Sequence, residues 1–211
     1  MVLKEKKGKF IVLEGIDGSG LSTQAERLKD YLRQAYAVKA VLTKEPSEGP
    51  IGTLIRQILS SRVVGVEESS LALLFAADRL DHNHNKITPI LEKGDFVICD
   101  RYVWSSLAYQ SLSNDLAWVK EINKNALVPD LTIFIRVRPE TSLKRIHDSR
   151  FKTEIFETKE ILAKVLANYE RIFEQCQNRG QKVIKIDGEQ SPQSVQNDII
   201  KAVDEFLQGV S

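Results

Sequence analysis

One stretch constrains this chain more than any other: Gly15–Ser22 (GIDGSGLS). It follows the apolar run Phe10–Leu13 and precedes a helical pattern in which Ala25, Leu28, Tyr31, Leu32 and Ala35 recur. A buried strand that runs through a glycine-rich turn into a helix is the setting of a phosphate-binding loop, G-x-x-x-x-G-K-[ST]. Backbone N–H groups there converge on phosphate oxygens at a helix N-terminus, and glycines permit the close approach. Ser22 stands where the loop hydroxyl binds Mg²⁺. Position 21 departs from the pattern, with leucine where the motif has lysine. That lysine bridges the β- and γ-phosphates, and loss of one preorganised donor costs on the order of 3–4 kcal/mol of transition-state stabilisation. Two compensations suggest themselves: a Lys or Arg from the 144–152 segment, or a backbone cradle with Mg²⁺ that suffices alone. A glycine-rich turn that binds nothing is the plain alternative.

The rest of the chain reads as one α/β domain over 1–211. Strands are expected at Phe10–Leu13, Val38–Leu42, Phe96–Cys99, Leu131–Ile135 and Lys182–Ile186, and helices over 51–59, 67–84, 140–147, 158–178 and 191–207. Alternation of this kind builds a five-stranded, mostly parallel sheet with helices on both faces, three layers in all. Ligands then bind beyond the carboxyl ends of the strands, where Gly15–Ser22, Lys44–Pro46 and Asp100–Arg101 fall. The segment over 148–157 is polar and suits a loop that moves.

Composition narrows the function classes. With 30 basic and 29 acidic side chains among 211 residues, bulk charge offers nothing to nucleic acid. No apolar run reaches the length needed to span a bilayer. No signal peptide is evident, and Cys99 and Cys176 suit reduced thiols, so the expected setting is cytoplasmic.

Downstream, Thr43–Gly52 (TKEPSEGPIG) with Ile55 and Arg56, Leu73–Arg79 (LLFAADR), Val97–Tyr102 (VICDRY), Ala108–Gln110 and Val128–Ile135 (VPDLTIFI) follow Phe10–Gly20 in order. With Phe156–Glu157 and Asn168–Glu170, this set resembles the thymidylate kinases, P-loop nucleoside-monophosphate kinases, from about residue 10 to 188. The resemblance implies a P-loop kinase fold and transfer of the γ-phosphoryl group of ATP to dTMP, with Mg²⁺ as cofactor. It also implies a homodimer with helices of the 50–80 region in its interface.

The residues carry that implication with different weights. Gly15, Asp17, Gly18, Ser19, Gly20, Leu21, Ser22 and Thr23 form the loop for the ATP phosphates. Asp17 suits either a sugar hydroxyl or a local turn; the resemblance gives it the dTMP 3′-hydroxyl. Phe75 and Arg79, i and i+4 on one helix with His82 a turn further, suit stacking on a flat base and donation to its carbonyl edge. Asp100 can orient or deprotonate the acceptor phosphate or hold Mg²⁺ with Ser22, and Arg101 can grip that phosphate in a fork. The pair can also simply fix a strand end. Lys44 and Arg56 are further cations for the anionic pocket. By resemblance, Ser106, Tyr109 and Gln110 join the dTMP site, Tyr109 checking against a 2′-hydroxyl. The same resemblance implies a lid over about 145–157 that supplies a catalytic arginine, Arg145 or Arg150, because the family carries it either in the loop or in the lid and position 18 here is glycine. Arg136, at a strand end, is another cation that could stand in for the lysine. His82 and His84 read as a hydrated helix end rather than a metal site, Cys99 as packing, and Trp104 and Trp118 as packing or interface. The competing function is a nucleotide-binding protein of the same fold with weak or no kinase activity because of Leu21.

Overall fold

β1 (Phe10–Glu14) is buried along its whole length, as a strand covered on both faces must be. The computed structural model describes residues 8–149, 158–177 and 181–209. It sets β1 at the centre of a sheet with β2 (Ala40–Lys44), β3 (Phe96–Asp100), β4 (Leu131–Arg136) and β5 (Val183–Asp187), in the order β2-β3-β1-β4-β5. Every pairing is parallel. The turn after β1 therefore leaves the middle of the sheet's carboxyl edge, between the ends of β3 and β4.

Side-chain alternation divides the core. Ile11 and Leu13 face one way, with Leu131, Ile133 and Ile135 of β4, against α1 (Leu21–Ala35) and α9 (Pro192–Gln208). Leu28 and Leu32 of α1 are fully buried there, worth about 1.5–3 kcal/mol each. Phe10 and Val12 face the other way with Cys99 and Tyr102. On that second face Phe134 meets α5 (Val103–Tyr109) and α8 (Lys159–Gln177), and Trp104 donates from Nε1 to Thr132 Oγ1 at 3.0 Å. The start of α9 is built as its sequence implies, with Ser191 Oγ accepting from Ser194 N–H and Pro192 in the first turn.

The differences from the sequence reading are local. β2 starts two residues later than expected because Ala37 adopts φ 51°, so residues 36–39 form the turn out of α1. α2 (Pro50–Leu59) and α3 (Glu68–His82) are present, but the long helix expected through residue 84 opens into a π-turn at Asn83–Ile87 before α4 (Thr88–Glu92). Pro89 cannot donate to the carbonyl four residues back, and the wider turn precedes it. α5 and α6 (Leu116–Ile122) are each seven residues, too short for a periodic signal to stand out. α7 (Pro139–Ser149) leads into the proposed lid, of which 150–157 lie outside the described residues.

Candidate functional site

The loop between β1 and α1 forms a cradle of main chain. Gly20 caps α1 with φ 94°, a conformation costly for any side chain, and no side chain caps the first turn. That turn also holds no acidic residue, so its N–H groups and the positive end of the helix face the crevice. At Gly15 a Cβ would come within 2.7 Å of the Ile135 carbonyl, so strand β4 passes too close for anything larger. Leu21 does not take a lysine's place in this cradle chemically: it is 5% exposed and packs in the α1–α9 core.

Two residues that the sequence puts 78 apart meet beside the cradle: Ser22 Oγ donates to Asp100 Oδ2 at 2.5 Å. A hydroxyl and a carboxylate are hard oxygen donors, the kind Mg²⁺ takes in ones and twos while keeping water and phosphate as its other ligands. Among the described residues no group of three His, Cys, Asp or Glu side chains could hold a metal by itself. The donor set fits a metal shared with a bound nucleotide.

The cradle cavity, about 270 Å³, also admits Lys44, Glu45, Asp100 and Arg101. A second cavity of about 190 Å³ opens between α3 and α5 and is lined by Phe75, Arg79, Ser106, Tyr109 and Gln110. Asp17, Glu45 and Arg101 line both. The two cavities are thus halves of one crevice that meet at an Asp–Arg pair.

That junction is tightly built. Arg101, with φ 68°, donates from Nη2 to Asp17 Oδ1 at 2.7 Å and from Nη1 to the Gly15 carbonyl at 2.8 Å. Its guanidinium lies 5.3 Å over the Tyr109 ring. Tyr109 donates to Asp17 Oδ2 at 3.0 Å and accepts from the Asp17 N–H, and burial, opposed by Arg101, pushes its phenol above the ordinary value. Beneath them Glu14 is fully buried and accepts from Tyr102 N–H, Ser105 Oγ and Tyr169. Burial raises its pKa to about 7, against the lowering effect of Ser105, Arg101 and Tyr169.

The second cavity depends on side chains held from α3. Arg79 is 1% exposed and pairs through Nη2 with Glu45 Oε2 at 2.7 Å. It also donates to Ser106 Oγ at 3.0 Å, to the Tyr102 carbonyl and to Asn123 Oδ1, leaving Nε buried with no acceptor among the described residues. Glu45 Oε1 lies 3.3 Å from His82 Nδ1, and the other ring nitrogen lies 2.7 Å from Thr43 Oγ1. Asp78 accepts from the Ser47 N–H at 2.7 Å and from Ser47 Oγ at 2.6 Å. One inner face of α3 (Asp78, Arg79, His82) therefore clamps Thr43, Glu45 and Ser47 around the cis Glu45–Pro46 bond.

Other expected cations stand elsewhere. Arg56 lines neither cavity; its guanidinium donates to the carbonyls of Pro46 and Ser47 and braces the same turn from outside. Arg145 donates to the Gly188 carbonyl at 2.9 Å and Arg136 pairs with Glu170 at 2.8 Å, and neither lines the cradle cavity. Arg150 and Lys152 lie outside the described residues, as do Phe156 and Glu157. Lys44, read with the acceptor pocket, lines the cradle cavity and not the second one. Glu14, Asp78 and Asn123 were not singled out in the sequence, and Glu45 was placed at the carboxyl edge without a role. The usable signal was a polar residue on an apolar face, since Asp78 and His82 are i and i+4 on the buried side of α3.

A family model described as thymidylate kinase matches residues 13–199. A probable thymidylate kinase of Methanococcus aeolicus is 48% identical over 172 residues, 79% of this chain and 82% of that protein. A putative thymidylate kinase of Aeropyrum pernix is 40% identical over 208 residues, 94% and 97% of the two chains. A probable thymidylate kinase of Thermococcus onnurineus is 39% identical over 206 residues, 94% and 98%.

Proposed function

The chain belongs to the thymidylate kinase family, and from that membership and the divided crevice we propose that it transfers the γ-phosphoryl group of ATP to dTMP, giving dTDP and ADP. The observation that carries the reading is that the main-chain cradle and the side-chain cavity share Asp17 and Arg101. A donor phosphate held by the first and an acceptor nucleotide held by the second would meet at that pair.

In this reading the amides of Gly15–Thr23 bind the ATP phosphates, and Phe75 stacks on the thymine while Arg79 meets its carbonyl edge. Ser106, Tyr109 and Gln110 close the base and sugar side, and Asp17 accepts from the 3′-hydroxyl. Arg101 grips the acceptor phosphate, whose oxygen attacks the γ-phosphorus as the bond to the ADP oxygen breaks in line. Ser22 and Asp100 would hold Mg²⁺, which supplies charge neutralisation at the phosphates when bound. Arg145 remains a candidate for the lid side, from a position where it now holds Gly188. The cell compartment that suits this activity is the cytoplasm; no helix among the described residues is long and apolar enough to cross a membrane.

A homodimer is part of the proposal. Leu73, Ala77 and Leu80 form an exposed stripe on α3, at i, i+4 and i+7, with Leu54 of α2 exposed as well. A second copy covering this stripe would press on the helix whose other face holds Arg79.

The test is dTDP formation by the purified protein with ATP, Mg²⁺ and dTMP, beside Leu21→Lys. We expect dTDP and ADP in equal amounts, with the natural sequence within about tenfold of the lysine variant. Absence of transfer by the natural sequence while dTMP binds and Leu21→Lys is active would instead favour the nucleotide-binding reading.

A further inference from the structure

The cradle lacks its lysine: Leu21 stands at the cavity's edge, but its side chain is buried in the α1–α9 core and brings no charge. Any cation that does the missing work must reach the same cavity with its charge uncommitted. Among the described residues two cations line it, Arg101 and Lys44. Arg101 is engaged by Asp17, by the Gly15 carbonyl and by the Tyr109 ring. Arg136 and Arg145 line neither half of the crevice and are held by Glu170 and Gly188.

Lys44 is different in each respect. It is the last residue of β2 and exposed, and its ammonium makes no ion pair or hydrogen bond with any described residue. In the sheet register it is the partner of Asp100, the residue that holds Ser22 at the cradle's mouth. β2 is two strands from β1, roughly 9–10 Å across the carboxyl edge. A flexible four-carbon stem carrying a point charge can cover much of that span.

We propose that Lys44 supplies the charge missing at Leu21, placing its ammonium against the oxygens of the transferring phosphoryl group. This extends the kinase reading above and rests on it. The lysine forms and breaks no covalent bond and keeps its proton; it offsets negative charge that spreads over the phosphoryl oxygens in the transition state. The arrangement moves the cation from the loop to the end of β2, still within the cradle half of the crevice.

The experiment compares Lys44→Met and Lys44→Arg in the natural sequence and in Leu21→Lys. The expected result is a fall in kcat of about a hundredfold for Lys44→Met in the natural sequence, the loss typical of one preorganised donor. In Leu21→Lys the same change should cost less than about fivefold, and Lys44→Arg should keep most of the rate in both. Affinity gives a second readout that needs no turnover: Lys44→Met should weaken a non-hydrolysable ATP analogue more than ADP. Equal losses in both backgrounds, no loss, or a change confined to the KM for dTMP would each overturn the proposal. If neither the natural sequence nor Leu21→Lys makes dTDP, the kinase reading fails. The ratio of ATP-analogue to ADP affinity then decides Lys44 separately: an unchanged ratio in Lys44→Met removes it.

Discussion

The two halves of the crevice are made of different material. The phosphate half is main chain: glycines, a helix N-terminus, and one hydroxyl–carboxylate contact between Ser22 and Asp100. The base half is buried side chain, with Arg79, Glu45, His82, Asp78 and Ser47 each fixed by another. Backbone amides point where the fold puts them whatever the side chain, so the shape of the first half does not depend on the residue at position 21. The second half has no such reserve, because an unpartnered charge in a dry site is costly.

The comparison breaks most sharply at Arg79. Arg79→Ala strands Glu45 as a buried carboxylate, a loss of about 3–5 kcal/mol of folding stability. It also removes a charge-assisted donor, so dTMP affinity should fall about tenfold to a hundredfold while ATP affinity stays nearly constant. Calorimetric titration with each nucleotide reads both. Adding Glu45→Gln should restore part of the stability, since the stranded charge is gone, and none of the dTMP affinity. Equal losses for the two nucleotides would remove the division between the halves.

Glu14 sharpens it from below, since it sits under the junction and belongs to the side-chain half. Its carboxyl is raised from 4.5 to about 7, so the folded protein holds that proton more tightly than the unfolded chain. The stabilisation is complete below about 4.5 and is lost as pH rises through about 7, on the order of 3 kcal/mol in total. The urea midpoint should therefore decline between about pH 4.5 and 7 and level off above that. Glu14→Gln should flatten that decline, and a slope unchanged by the substitution would mean Glu14 stays ionised throughout.

How much of this was legible follows the same division. The phosphate half is local in sequence: strand, glycines and helix occupy Phe10–Ala35 without interruption, and their spacing alone fixes the geometry. Phe75 and Arg79 were legible as a pair because helical spacing puts them on one face. Ser106 came only with the resemblance, and the other supports were not legible, because Glu45 and Asn123 reach Arg79 only through tertiary packing between residues far apart in the chain. Long-range pairing also decided the fate of the cations. Arg136 looks available in sequence and is held by Glu170, while Arg56 looks like a phosphate ligand and braces carbonyls. Charge is visible in a sequence, but whether it is already neutralised is a property of the fold.

The smallest expected effect lies at the seam itself. Tyr109 gives its hydroxyl to Asp17 Oδ2, yet Asp17 is also held by Arg101 at 2.7 Å, so the carboxylate keeps its place when the phenol is lost. Tyr109→Phe should therefore weaken dTMP binding by only about fivefold, about 1 kcal/mol, below the usual worth of a hydrogen bond to a charged group because Arg101 goes on holding the carboxylate. The ring survives that change and with it the shape of the sugar side. If Tyr109 discriminates against a 2′-hydroxyl by bulk, Tyr109→Phe should keep the preference for dTMP over the ribonucleotide, and Tyr109→Ala should lose it. Competition titrations with both nucleotides distinguish the cases. A phenylalanine variant that loses the preference would show that the hydroxyl and its Asp17 contact, not the ring, set the sugar side of the site.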